Sequence, residues 1–266
     1  MCKDCGCSGG PAHAHGPGHH HDHQHDHDHG HPHDHQPAAA SAPAGRTVEV
    51  RQSVLSENDR LAERNRGYFA ARGMLVLNVV SSPGSGKTAL LERTLTDLHA
   101  RVPMAVIVGD LATDNDAQRL RRSGAPAVQI TTGTACHLDA HQVRHGLEDL
   151  APAQPEILFI ENVGNLVCPA SFDLGEDLRV VVIAVTEGED KPLKYPVIFH
   201  NADAVLVNKI DLADAVDFPR DLALANLRQA APRAAVFEVS ARTGAGLEAW
   251  YDWLLHERAH KRGLPH

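Results

Sequence analysis

Leu75-Val-Leu-Asn-Val-Val80, running directly into Ser81-Ser-Pro-Gly-Ser-Gly-Lys-Thr88, is the stretch on which the fold turns. A short Val/Leu run without polar alternation suits a strand covered on both faces. Apolar residues then resume at helical spacing over Thr88–His99. Apart from Ser81 in the first position, the segment fits G-x-x-x-x-G-K-[ST], with a strand before it and a helix after it, as that motif requires. Gly84, Ser85 and Gly86 let backbone N–H groups curl around phosphate oxygens, and the helix N-terminus adds its positive dipole end. Lys87 is placed to reach β- and γ-phosphates, and Thr88 to supply a hydroxyl to Mg²⁺. A glycine-rich turn without a ligand is the plainer alternative, so the rest of the chain has to decide.

Outward from this loop the same pattern repeats. Strand-like runs are expected at Met104–Gly109, Ala127–Ile130, Ile157–Ile160, Val180–Val185, Ala204–Val207 and Val236–Val239. Helical spacing falls between most of them, at Asp116–Arg122, Leu138–Leu150 and Leu222–Gln229, and Leu247–His256 closes the chain. Alternation of this kind predicts an α/β fold: a mainly parallel sheet flanked by helices, built around a P-loop. Upstream, Val54, Leu61 and Tyr68 recur at heptad spacing, as do Leu55, Ala62 and Phe69, predicting a helix over Val54–Arg72 that Gly73 stops. The expected division is a tail and linker over 1–45 and a P-loop domain with its N-terminal helix over 46–266.

Three downstream motifs favour guanine nucleotide. Asn208-Lys209-Ile-Asp211 follows the run Ala204–Val207 and matches N-K-x-D. A carboxylate at Asp211 accepts from the guanine N1–H and N2 amine, a donor pair adenine lacks, and a mismatched base would leave that carboxylate unpaired. Ser240-Ala241-Arg242 follows the next strand, where GTPases often place a loop near the guanine O6. Glu161-Asn-Val-Gly164 resembles D-x-x-G with Glu for Asp. There Glu161 would hold the magnesium shell and the Gly164 N–H would meet the γ-phosphate. Asp110 also ends a strand, where it serves Mg²⁺, the attacking water or simply a turn.

Two groups of soft ligands stand apart from these motifs. Cys2, Cys5 and Cys7 form C-x-x-C-x-C, a chelating set for a thiophilic divalent ion; planar geometry would indicate nickel or copper, tetrahedral geometry zinc. Twelve of the 20 histidines lie within residues 1–45, most of them in His19–His35, which reads as a reservoir of weak overlapping imidazole sites. With hardly any large apolar side chain, that tail is expected to be disordered when metal-free. The second group is Cys136-His137 with Cys168-Pro169, on loops at one edge of the sheet. Two thiols and an imidazole there suit one metal, completed across a dimer.

Composition excludes several classes. A formal charge of −9, with no clustered Lys or Arg, argues against nucleic acid and anionic membrane as partners. The longest apolar runs are too short to span a bilayer, and no signal-peptide pattern opens the sequence, so a soluble, cytoplasmic protein is expected. Five cysteines, three of them within the first seven residues, fit metal binding in a reducing compartment better than a disulfide framework.

Taken in order, C-x-x-C-G-C, the histidine-rich segment, S-S-P-G-S-G-K-T, T-G-x-x-C-H-L-D, I-E-N-V-G-N-L-x-C-P and N-K-x-D resemble the HypB family of hydrogenase nickel-incorporation GTPases, from Cys2 to the last helix. The resemblance implies the signal-recognition/dimerising class of P-loop GTPase and a homodimer formed on GTP binding. It further implies Ni²⁺ delivery to a [NiFe]-hydrogenase large-subunit precursor with the maturation protein HypA, and metal positions at Cys136, His137 and Cys168. Many relatives in that wider class carry an extra lysine early in the P-loop; Ser82 stands there, so slow intrinsic GTP hydrolysis is expected. Competing readings are a urease accessory GTPase of the UreG kind, whose metal motif is typically Cys-Pro-His, and a nickel or zinc storage protein with a vestigial nucleotide site. A small-molecule kinase fits N-K-x-D poorly.

Overall fold

A computed structural model describes residues 44–110, 114–133, 135–150 and 153–264, with side chains from residue 53 onward. The Cys2, Cys5, Cys7 triad and the histidine-rich segment lie outside the described residues.

Seven strands form one sheet: β1 Leu75–Ser81, β2 Met104–Asp110, β3 Ala127–Thr131, β4 Ile157–Glu161, β5 Leu178–Ala184, β6 Ala204–Asn208 and β7 Ala235–Glu238. Their spatial order is β3-β2-β4-β1-β5-β6-β7, and every pairing is parallel. All seven therefore end at the same edge. The helices are α1 Ala44–Ala71, α2 Lys87–Leu98, α3 Asn115–Arg121, α4 Ala140–Asp149, α5 Lys191–Lys194, α6 Pro196–His200, α7 Arg220–Ala230 and α8 Leu247–Arg262.

The unalternating strands are explained by cover on both faces. On one face Leu75, Leu77 and Val79 of β1 pack with Leu90, Leu91 and Leu95 of α2, Leu120 of α3, and Trp250 and Leu254 of α8. On the other, Val76 lies in a cluster with Phe69 of α1 and Val143 and Leu147 of α4. Val80, Val181 and Val205 pack there with Ile198 and Phe199 of α6 and Leu227 of α7. Trp250 is tied in by its indole N–H, which donates to Thr94 Oγ1 at 3.1 Å.

Several boundaries differ from the sequence reading. Val185 leaves the sheet and starts a 3₁₀ turn, Val185–Glu187, and β7 ends at Glu238, one residue before Val239. The helices α5 and α6 were not expected. Each is under two turns with proline at its start, too short for periodicity to register. Helix α1 begins at Ala44, well before Val54.

Candidate functional site

The first half of the site is the edge where β1, β4 and β6 end. Strand β1 pairs Val79 with Glu161 of β4, and β2 pairs Val108 with the same glutamate. Glu161 thus emerges beside the loop after β1, and Asp110 lies two residues beyond Val108 on the neighbouring strand. Gly86 caps α2 at φ +87°, and a Cβ there would stand 2.7 Å from Asn208 Nδ2. Only glycine meets both demands.

Lys87 is buried, and its ammonium donates to the Asn162 carbonyl and sits 3.7 Å from Glu161 Oε1. Burial pushes the Lys87 pKa down, with Glu161 opposing the shift. Burial likewise pushes Glu161 up, with Lys87 opposing. Thr88 Oγ1 donates to Glu161 Oε1 at 2.6 Å, while Glu161 Oε2 and Ser85 Oγ have no hydrogen-bond partner among the described residues. A buried carboxylate oxygen and a hydroxyl left without partners are costly unless a ligand completes them. Hard-oxygen donors at Thr88 and Glu161 are the set a magnesium ion takes, and the loop N–H groups suit phosphate. The residues fit a Mg²⁺–nucleotide.

Asn208, buried, ties two loops together. Its Nδ2 donates to Ser85 O at 2.9 Å, and its Oδ1 accepts from the Ala241 N–H at 3.1 Å. Lys209 adopts φ +63°, a left-handed conformation uncommon outside glycine, and its Nζ donates to Gly84 O at 2.7 Å. The lysine stem therefore crosses the phosphate loop. Asp211 accepts from Ser240 Oγ at 2.5 Å and pairs with Arg242 at 3.1 Å. The Ser240 hydroxyl is the main cause holding the Asp211 carboxyl below its usual range, so it stays an acceptor. All of the sequence-nominated nucleotide residues from Gly84 to Thr88 and from Asn208 to Ala241 gather at this edge.

The second half adjoins it. Cys136 Sγ lies 2.6 Å from Cys168 Sγ and 3.8 Å from His137 Nδ1. The three candidate donor atoms all fall within 4.8 Å of one another. Cys168 opens a 3₁₀ turn, Cys168–Ser171, whose approach is fixed by Asn165 Oδ1 accepting from the Val167 N–H at 2.7 Å. The His137 ring packs over Phe172 at 3.8 Å between centroids. Burial lowers the His137 pKa, so its imidazole holds a lone pair at neutral pH. Two sulfurs and one imidazole form a donor set for borderline divalent ions.

One residue joins the halves, and the sequence reading gave it no role. Asn162, 1% exposed, accepts through Oδ1 from the N–H of Leu138 and of Val163, each at 3.0 Å, and donates from Nδ2 to Asn78 Oδ1 at 3.2 Å. Its carbonyl takes the Lys87 ammonium. Leu138 directly follows Cys136-His137, so one buried amide links Lys87 to the thiol loop. Asn78 was the available signal: a polar residue inside an otherwise apolar, fully covered strand needs a partner. Gly164 completes the approach, since a Cβ there would lie 3.3 Å from Pro83 Cα and N. The segment after β4 thus rests on the phosphate loop backbone.

Comparison with known proteins agrees with this arrangement. Residues 75–238 match the CobW/HypB/UreG nucleotide-binding domain. The hydrogenase maturation factor HypB of Rhizobium leguminosarum is 56% identical over 209 residues, covering 79% of this chain and 70% of that protein. The crystal structure of HypB from Helicobacter pylori in complex with nickel superposes with a TM-score of 0.73 at 39% identity, covering 77% of this chain and 97% of that one. The signal recognition particle 54 kDa protein of Aeropyrum pernix shares the fold, with a TM-score of 0.50 at 17% identity over 70% of this chain and 49% of that one. With a P-loop on the central strand, a thiol–imidazole cluster on the adjoining loops and these matches, the chain belongs to the HypB hydrogenase maturation factors within the CobW/HypB/UreG nucleotide-binding family.

Proposed function

We propose that this chain hydrolyses GTP to GDP and phosphate and uses the cycle to hold and release a nickel ion bound for a [NiFe]-hydrogenase precursor. The observation that carries this reading is that Glu161, Gly164 and Cys168 belong to one short segment, which touches the phosphate loop at one end and the Cys136 thiol at the other. Gly84 to Thr88 cradle the phosphates, Thr88 and Glu161 hold the Mg²⁺ that screens their charge, and Asp211, set by Ser240, reads guanine. Asp110 helps position the attacking water. Nickel, as cargo, is taken by Cys136, His137 and Cys168, with zinc as the competing occupant.

In this cycle the γ-phosphate meets the Gly164 N–H and orders the segment up to Cys168, favouring a homodimer and one metal affinity. Loss of the γ-phosphate frees the segment and changes that affinity, and metal then passes to the precursor with HypA as partner. Linkage requires metal to alter nucleotide affinity by the same factor. Cys2, Cys5, Cys7 and the histidine-rich tail act as a nickel store in the cytoplasm. The nickel-bound Helicobacter pylori relative supports the choice of ion. Slow turnover is expected, since Ser82 offers no charge at the phosphate loop. Phosphate release from GTP by the purified chain, with ATP as control, tests the enzymatic half. Slow release from GTP alone is expected; no turnover at any metal load would favour a storage protein.

A further inference from the structure

We propose a second, surface metal site on α4, formed by His141 and His145, which takes a divalent ion of the zinc type independently of the Cys136 cluster. The two residues are one helical turn apart, so they share a face. Their Nε2 atoms share a 3.3 Å hydrogen-bond contact, with ring centroids 4.5 Å apart and planes at 81°, and an ion entering between them would replace the shared proton. Zinc–imidazole bonds are about 2.0–2.1 Å long. An ion bonded to both nitrogens at that length would subtend an angle of about 105–110°, the tetrahedral value, at the observed 3.3 Å spacing. The spacing of the two nitrogens is therefore that of two legs of a tetrahedral site, and small ring rotations would turn both lone pairs onto a shared ion.

The surroundings suit a cation. Glu148 Oε2 lies 3.6 Å from His145 Nδ1, on the far side of that ring. A carboxylate there can draw closer to an Nδ1 proton once an ion takes the Nε2 lone pair, the pairing that metal-bound imidazoles commonly make. Arg144, the nearest positive group on the helix, is engaged by Glu148 Oε1 at 3.2 Å and by the Tyr68 ring face at 4.9 Å. Both histidines are exposed, so the remaining coordination positions are open to water or to a donor from another molecule. Two imidazoles alone give a weak, fast-exchanging site, and the second adds affinity because the helix holds it at high effective concentration.

Carbethoxylation mapping on the full-length chain tests this, because it reads each imidazole separately and is blind to how much metal the tail absorbs. Diethyl pyrocarbonate modifies the Nε2 that an ion would cover, and trypsin cutting after Arg144 puts the two histidines on different peptides. In buffered Zn²⁺, His141 and His145 are expected to become protected together, with one half-point. His145→Ala is expected to shift the His141 half-point at least tenfold. The Cys136→Ser/Cys168→Ser chain is expected to keep the paired protection. Equal modification rates with and without Zn²⁺, or His141 protection unchanged by His145→Ala, would overturn the proposal. Protection that vanished in the double serine chain would overturn it too, by making the effect secondary to the thiol cluster. None of these outcomes depends on GTP hydrolysis or on nickel delivery.

Discussion

Replacing Asn162 with alanine separates the two halves of the site without touching a phosphate-loop or thiol side chain. The substitution removes one acceptor serving two N–H groups, Leu138 and Val163, and one donor serving Asn78 Oδ1, all in a position 1% exposed. Each buried polar group stranded in this way costs about 1–3 kcal/mol. Three of them give an upper bound near 9, but Val163 N–H is adjacent in sequence and free to turn with its loop. A loss of about 3–5 kcal/mol is therefore expected in urea denaturation, a large share of the roughly 5–15 kcal/mol of a typical domain. Asn162→Asp keeps the acceptor for both N–H groups but loses the donor to Asn78 and buries a carboxylate, setting two oxygens against each other across the 3.2 Å contact. Its stability cost is expected to match or exceed that of Asn162→Ala, while Leu138 and the thiol loop stay anchored, so metal affinity is the readout that separates the two variants. Metal affinity at Cys136 is expected to fall in Asn162→Ala far more than in Asn162→Asp. A loss under about 1 kcal/mol for Asn162→Ala, or equal metal affinity in both variants, would refute the bridging role.

Gly164→Ala is expected to keep GDP binding and lose at least tenfold in GTP affinity, read by fluorescent-nucleotide titration, because the added Cβ forces the segment off Pro83. Asp211→Asn exchanges an acceptor for a donor, so preference is expected to move from GTP to xanthosine triphosphate, measured by competition. The raised Glu161 pKa means that the nucleotide-free carboxyl binds its proton more tightly than an unfolded one would. Its contribution to stability is therefore fully present below pH 4.5 and is lost as pH rises through the folded-state value. Mg²⁺–nucleotide binding just above pH 4.5 should accordingly release a proton, seen by calorimetry in buffers of different ionisation enthalpy, and Glu161→Gln should abolish that release.

Much of this was legible in the residue pattern. Strand runs such as Leu75–Val80 declare a covered sheet because their apolar residues do not alternate, and the phosphate loop follows from Gly84, Gly86 and Lys87. The grouping of Cys136 with Cys168 was legible because parallel strands put the loops after β3 and β4 on one edge, though the 2.6 Å approach of two sulfurs 32 residues apart was not. What stayed hidden depends on side-chain partners. Asn162 reads as a loop asparagine until Leu138 and Asn78 are seen against it. Likewise, Asn208 reads only as the first residue of N-K-x-D until both ends of its amide are seen joining Ser85 to Ala241. Neither pairing leaves a periodic trace. Helices α5 and α6 escaped for the simpler reason that four or five residues carry no period.

Nickel affinity in two nucleotide states is the measurement that decides whether phosphate and metal are coupled. Thiolate-to-nickel absorption should be titrated in a Cys2→Ala/Cys5→Ala/Cys7→Ala chain, once with GDP and once with a non-hydrolysable GTP analogue. Two distinct affinities are expected, with Cys168→Ala abolishing the difference. Identical affinities in the two states would contradict the coupling, because the segment from Glu161 to Cys168 would then carry no message from phosphate to metal.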